Sequence, residues 1–275
     1  MKSKLFTAAL AALMLSSCTP KENGYFDNLP QEANPIEIGN KITNRFLEQG
    51  HSQYGSPLRV NEPRTQITYP DVCTWLGGLW FAQETDNKEL TERLKARFEP
   101  LFTNEAYLQP KPNHVDNNVF GAVPLELYLQ TGEERYKTLG MMYADSQWEL
   151  PANWKLKEGE ERQSSMYGDF KDADICQPEQ KEWADKGYSW QTRFWLDDMY
   201  MITTIQAQAY RVTNDRKYID RAAREMVLYL DSIQQTSGLF YHAPTAPFCW
   251  GRGNGWMAVG ISGCFRKTIR TERKS

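Results

Sequence analysis

Histidine is scarce in this chain, with only His51, His114 and His242 among 275 residues, so a multi-histidine metal site is hard to build. The five cysteines, Cys18, Cys73, Cys176, Cys249 and Cys264, are widely and irregularly spaced and include no Cys-x-x-Cys pair, which argues against a zinc site. Gly-rich phosphate loops and Gly-x-Ser-x-Gly elbows are missing, which removes nucleotide and serine-hydrolase chemistry. No metal and no cofactor are expected. Excess positive charge is lacking too: 32 basic against 35 acidic side chains give a formal charge of −3, too little to coat a phosphate backbone, so nucleic acid is not an expected partner. What the chain does have is apolar and aromatic surface. Hydrophobic residues make up 40% and aromatics 13%, enough to bury a core and too much for a disordered chain. Nine Trp and fourteen Tyr offer large flat rings, for core packing or for stacking against a ligand.

The N-terminus is a targeting segment. Lys2 and Lys4 precede the apolar run Leu5 to Leu15, which is too short to span a bilayer, and Leu15-Ser16-Ser17-Cys18 follows. This ending resembles the bacterial lipobox. The resemblance implies a signal peptide over 1–17, a lipid-bearing Cys18 and a membrane anchor on the periplasmic or cell-surface side. An ordinary signal peptide with an incidental Cys is the alternative. Residues 18–35, with Pro20, Gly24, Pro30 and Pro35, read as a tether, leaving 36–275 as the folded domain.

A loose internal repeat organises that domain. Thr85-Asp86-Asn87-Lys88, Thr131-Gly132-Glu133-Glu134 and Thr213-Asn214-Asp215-Arg216 each join two helical patterns through a helix-stopping residue, at offsets of 46 and 82. Apolar residues such as Ala222, Met226, Tyr229 and Ile233 recur at helical spacing, and strand alternation is nowhere sustained. The expectation is all-α, built from antiparallel helix pairs. Period alone leaves an open solenoid and a closed ring equally available. Glu149 to Gly187, rich in Lys, Glu, Gln and Asp, interrupts the repeat and reads as a long loop with some helix.

Chemistry must come from carboxylates. Asn113-His114-Val115-Asp116-Asn117-Asn118 precedes an apolar helix and puts Asp116 near a helix N-terminus, where capping is the plain alternative. Arg193-Phe194-Trp195-Leu196-Asp197-Asp198-Met199-Tyr200 sets two acids in an aromatic and apolar run. A carboxylate desolvated there has a raised pKa and suits a general acid. Adjacent helical residues point about 100° apart, so only one of Asp197 and Asp198 should face the apolar side. The third constellation is His242 followed by Trp250-Gly251-Arg252-Gly253-Asn254-Gly255-Trp256, in which Arg252 offers a planar fork between two stacking walls.

At Val115-Asp116-Asn117-Asn118-Val119-Phe120-Gly121, Trp195-Leu196-Asp197 and the Arg252-Gly253-Asn254-Gly255-Trp256 run, the sequence resembles glycoside hydrolase family 105, the unsaturated rhamnogalacturonyl hydrolases, with family 88 as a relative. The resemblance implies an (α/α)6 barrel, a six-hairpin toroid. It also implies hydration of the C4=C5 double bond of an unsaturated uronic acid at the non-reducing end of a pectin-derived oligosaccharide. Carried over, Asp197 is the acid/base in preference to Asp198, Asp116 the second carboxylate, which hydrogen-bonds the sugar and helps keep Asp197 protonated by like-charge coupling, and His242 an assistant at the water or ring hydroxyls. Arg252, Trp195 and Trp256 hold the sugar. A lipid-anchored, non-catalytic glycan-binding protein, or an inactive truncated paralogue, is the competing reading. From Ile36 onward the chain accommodates about five helix pairs at the 46-residue spacing, and Phe265 to Lys274 is basic without an apolar stripe. The barrel is therefore expected to be incomplete at its C-terminus, through a reading-frame shift near Gly263, a fragment or a genuine short paralogue.

Overall fold

A computed structural model of the chain describes residues 29–51, 65–150, 155–156, 175–176 and 178–273. The leader, Cys18, most of the tether and most of the 149–187 insertion lie outside the described residues. Two units divide the chain, 1–45 and 46–275. In the first, Asn34 Oδ1 accepts from Ile36 N at 2.9 Å and so caps the start of helix α1 (Pro35–Glu48).

The second unit is built from helix hairpins: α2 (Tyr69–Glu84) with α3 (Lys88–Phe98), α5 (Ala122–Thr131) with α6 (Glu134–Ser146), and α8 (Asp198–Thr213) with α9 (Arg216–Ile233). A four-residue helix, α4 (Val115–Asn118), leads into α5. Helix α7 (Pro178–Asp185) precedes α8, and α10 (Gly251–Arg273) follows the third hairpin. All three turns anticipated from sequence are present and share one construction. Asp86, Gly132 and Asn214 take left-handed φ values of 51°, 77° and 59°, which reverse the chain. The preceding threonine donates back to the carbonyl four residues earlier: Thr85 to Phe81 and Thr131 to Leu127 at 2.8 Å, Thr213 to Ala209 at 2.7 Å.

Burial separates the helices into two rows. Helix α8 is buried without a break from Asp198 to Ala209, and α5 from Ala122 to Leu127, so neither has a water-facing side there. By contrast α3 buries only Leu90, Leu94 and Phe98, and α9 only Tyr218, Ala222, Glu225, Tyr229 and Ile233, each a single stripe. The inner helices α2, α5, α8 and α10 lie side by side in that order, each of the first three backed by its outer partner. This is the layering of an α/α toroid, and the all-α expectation holds. Glu126 ties the inner row together, accepting from Trp80 Nε1 at 2.9 Å, Gln130 Nε2 at 2.9 Å and Gln208 Nε2 at 2.7 Å. Helix α10 approaches α8 closely: a Cβ on Gly260 would lie 2.5 Å from the Met199 carbonyl oxygen.

Strands are few and short. In the insertion, β1 (Lys155–Leu156) pairs parallel with β2 (Ile175–Cys176), while β3 (Tyr241–Ala243) and β4 (Ala246–Cys249) form an antiparallel hairpin just before α10. No alternation marks this hairpin in the sequence, because three- and four-residue strands, with Pro244 in the turn and Pro247 within β4, are too brief to display a period.

Candidate active site

The inner helices share one direction, so their N-termini gather at one end, and the residues singled out from sequence meet there. Tyr69 opens α2, Asp116 sits in the first turn of α4, Asp197 immediately precedes α8, and Arg252 stands in the first turn of α10. Tyr69 feels all of them: burial raises its hydroxyl pKa first, and it experiences the charges of Arg252, Asp116 and Asp197.

Asp197 and Asp198 have different surroundings. Asp198 is fully buried and accepts from Arg193 Nε at 2.7 Å, Tyr229 Oη at 2.7 Å and Trp195 N at 3.3 Å. Burial pushes its carboxyl up to about 6 against the pull of Arg193. Asp197 keeps 15% side-chain exposure and has no such partners: its Oδ2 is buried without a hydrogen bond, 3.6 Å from His242 Nδ1, which is also unbonded. Burial raises the Asp197 pKa, and His242, Arg252 and Arg193 oppose that rise. Just upstream, Phe194 is held at φ 60°, a strained value for a β-substituted residue. Its N–H donates to Tyr229 Oη at 3.0 Å, and its ring stacks on Tyr229 with centroids 5.1 Å apart. The strained bend carries the chain from the buried Arg193 to the start of α8.

His242 stands on β3 inside an aromatic enclosure. Trp195 and Trp250 approach its ring edge-on at 4.8 and 4.9 Å, and Phe248 stacks at 5.7 Å. The Arg252 guanidinium carbon lies 3.9 Å over the Trp250 ring, leaving the exposed fork edge available. Trp256 packs against Tyr200 at 4.7 Å and Tyr69 at 6.2 Å. Asn254 joins the hairpin to the helix. Its Oδ1 accepts from Phe240 N at 2.9 Å, while its Nδ2 donates to Phe240 O at 3.1 Å and Trp250 O at 3.0 Å. Of the three glycines in this run only Gly253 is closely packed, since a Cβ there would meet Leu196 Cδ2 at 3.1 Å.

Asp116 is not the cap of α4; His114 occupies that position. Asp116 Oδ1 accepts from Arg193 Nη2 at 3.1 Å, and Arg193 Nη1 lies 2.9 Å from His114 Nε2. Burial lowers the His114 pKa to about 4, with Arg193 acting in the same direction, so the ring is neutral. A guanidinium has no lone pair, so Nε2 must accept and the imidazole proton sits on Nδ1, facing Asp116 Oδ2 at 3.6 Å. That tautomer gives up the contact from Asp116 N to Nδ1 at 3.2 Å, the longer of the two and the one with an uncharged donor. The neighbouring amides are scaffolding: Asn118 donates to Tyr143 O at 2.8 Å and Ser146 Oγ at 2.7 Å, and Asn117 accepts from Gln66 Nε2 at 2.9 Å.

The arrangement can present a desolvated carboxyl beside a histidine, between aromatic walls and an exposed guanidinium. Among the described residues no group of three or more His, Cys, Asp or Glu is placed to hold a metal ion. Sequence reasoning missed Tyr69, Arg193, Tyr229 and the clamping role of Asn254. The capping box in which Asp71 Oδ2 accepts from Thr68 N and Oγ1, both at 2.9 Å, and Pro70 in the first turn are the local signals that mark the α2 end.

Comparison with known proteins gives a consistent picture. The family described as Glycosyl Hydrolase Family 88 matches residues 38–274. An unsaturated 3S-rhamnoglycuronyl hydrolase of Alteromonas sp. (strain LOR) is 25% identical over an alignment of 242 residues that covers 84% of this chain and 54% of that protein, so the chain spans about half the length of this curated relative. A solved structure, a possible member of the GH105 family from Salmonella enterica subsp. enterica serovar Paratyphi A, is similar in fold with a TM-score of 0.57 at 13% identity, covering 90% of this chain and 64% of that one.

Proposed function

The chain belongs to Glycosyl Hydrolase Family 88, and from that premise we propose that it removes an unsaturated uronic acid from the non-reducing end of an oligosaccharide by hydrating the C4=C5 double bond. The observation that carries this reading is the buried, unbonded Asp197 Oδ2 facing the unbonded His242 Nδ1. A carboxyl desolvated in this way has its pKa raised, as a proton donor needs. Asp197 gives its proton to C4, water adds at C5, and the Asp197 carboxylate takes the proton from that water. The hemiketal so formed at C5 opens and releases the neighbouring sugar. His242 assists at the water or the ring hydroxyls, and Asp116 accepts from a sugar hydroxyl. Arg252 binds the uronate carboxylate, aided by the partial positive charge at the N-termini of α2, α8 and α10. Trp195 and Trp256 contribute walls for the sugar rings, alongside Trp250 beneath Arg252.

The neighbouring sugar is taken to be rhamnose, in a rhamnogalacturonan-derived oligosaccharide, because the resemblance to family 105 and the name of the Alteromonas relative both point to rhamnose linkages. A lipid on Cys18 is proposed to hold the enzyme on the periplasmic or cell-surface side of a bacterial membrane, and loss of labelled palmitate incorporation in Cys18→Ala checks it. The catalytic reading is tested by following the ultraviolet absorbance of the double bond on an unsaturated uronyl–rhamnose disaccharide. Steady loss of absorbance with release of rhamnose is expected. Binding without loss of absorbance would support a glycan-binding protein instead.

A further inference from the structure

We propose that Arg193 is a positioning residue that fixes the Asp116 carboxylate relative to Asp197, an inference that rests on the catalytic reading above. The guanidinium sends each nitrogen to a different partner: Nε to Asp198 Oδ1 at 2.7 Å, Nη2 to Asp116 Oδ1 at 3.1 Å and Nη1 to His114 Nε2 at 2.9 Å. Asp198 adjoins Asp197 at the start of α8, and Tyr229 of α9 holds it from behind at 2.7 Å. Asp116 and His114 belong to the separate α4 segment, 77 and 79 residues away from Arg193 in sequence.

A planar, rigid fork between two carboxylates sets their spacing, so the start of α4 cannot shift against the start of α8 without breaking a charged hydrogen bond. The side chains of Arg193 and Asp198 have 18% and 0% exposure, and at that burial a charge left without its partner is costly. The same pairing spends the charge of Asp116 on Arg193 rather than on Asp197, whose raised pKa comes first from burial. Asp116 is thus an oriented acceptor for a sugar hydroxyl.

A double-mutant cycle in the whole protein tests this, using the absorbance assay on the unsaturated uronyl–rhamnose disaccharide. Arg193→Gln is expected to lower kcat/KM by about 10²-fold, the scale of a misplaced reacting group. In an Asp116→Asn background the same change should cost less than about 3-fold, because the group it positions is already disabled. A full loss in both backgrounds would overturn the inference and assign Arg193 to the fold alone. If Arg193→Gln gives no cooperative melt, Arg193→Lys replaces it in the cycle. Lysine keeps the charge without the fork and should show the same non-additivity. An inactive wild type would overturn the catalytic reading and this inference together, whereas an active wild type with additive variants overturns only the inference.

Discussion

Asp197 Oδ2 and His242 Nδ1 face each other at 3.6 Å, both buried and neither hydrogen-bonded, although Asp198 one residue on has three donors. An unpaired buried polar atom costs about 1 to 3 kcal/mol, so this pair is a local liability in stability, which the proposed proton-donor role of Asp197 would explain. The two adjacent aspartates are therefore expected to respond in opposite ways to the same substitution.

Asp197→Asn should reduce turnover by at least roughly 10² to 10⁴-fold while leaving the melting temperature unchanged or higher, because the amide lacks the transferable proton and avoids a desolvated charge. Asp198→Asn should destabilise by about 3 to 5 kcal/mol, because Arg193 is left without its buried counter-ion. Activity and denaturant unfolding of the two variants check this pair, and a destabilised Asp197→Asn beside a stable Asp198→Asn would reverse the assignment.

Burial holds the Asp197 carboxyl above the ordinary carboxylate range, so kcat/KM should fall as pH rises through this raised value and the proton donor is lost. His242, Arg252 and Arg193 pull the other way. His242→Gln removes the first of these opposing groups and should move the alkaline limb of the pH profile upward. A limb that stays in place would show that His242 does not act on Asp197.

Arg252 lies with its guanidinium carbon 3.9 Å from the Trp250 ring centroid, and stacking of this kind orients a flat fork far better than a lysine ammonium. Arg252→Lys keeps the charge and should raise KM for the unsaturated disaccharide by about tenfold or more, the loss of one charge-assisted bond. Unchanged KM and kcat would make Arg252 structural.

The hairpins were legible because turns are local: Gly132 and Asn214 are helix stops readable from a few residues, and the Thr that precedes each closes the last helical turn. The burial of Asp197 and Asp198 was legible because they interrupt an apolar run that becomes the buried start of α8. Arg193 was not, since its partners lie 77 and 79 residues away and nothing in its own segment announces them. Tyr69 was hidden for a related reason: it reads as one more aromatic at the start of an apolar helix, and only the gathering of helix N-termini gives it charged neighbours. Asn254 shows an intermediate case, where the motif was visible and its function, pinning Phe240 and Trp250, was tertiary.

The closeness of α8 and α10 gives a stability prediction. At Gly260 a Cβ would lie 2.5 Å from Met199 O and 2.7 Å from Thr203 Oγ1, so α10 would have to back away from α8. Gly260→Ala should cost about 1 to 3 kcal/mol, as overpacking does. Gly77 on the exposed side of α2 has nothing within 4 Å of its Cβ position, and Gly77→Ala should instead stabilise by about 0.5 to 1 kcal/mol. Denaturant unfolding of both variants, read against wild type, checks the sign of each.

Glu225 provides the pH test of the region behind the site. It is fully buried, it accepts from Thr192 Oγ1 and Ser189 N, and burial raises its pKa from 4.5 to about 7. Between those values the folded chain holds a proton that the unfolded chain has released, so Glu225 makes wild type lose stability as pH rises through this window. Glutamine at 225 has the shape of the protonated acid and does not titrate. The unfolding free energy of Glu225→Gln relative to wild type should therefore climb between pH 4.5 and pH 7, at about 1.4 kcal/mol per unit and by about 3 kcal/mol in total. His114 contributes with the opposite sign, since its folded pKa is lowered to about 4 and its neutral form gains stability as pH rises, but that contribution is common to both proteins and cancels in the difference. A difference that stays flat across the window would mean that Glu225 is ionised in the folded chain at pH 4.5, with Thr192 and Ser189 holding it as a carboxylate.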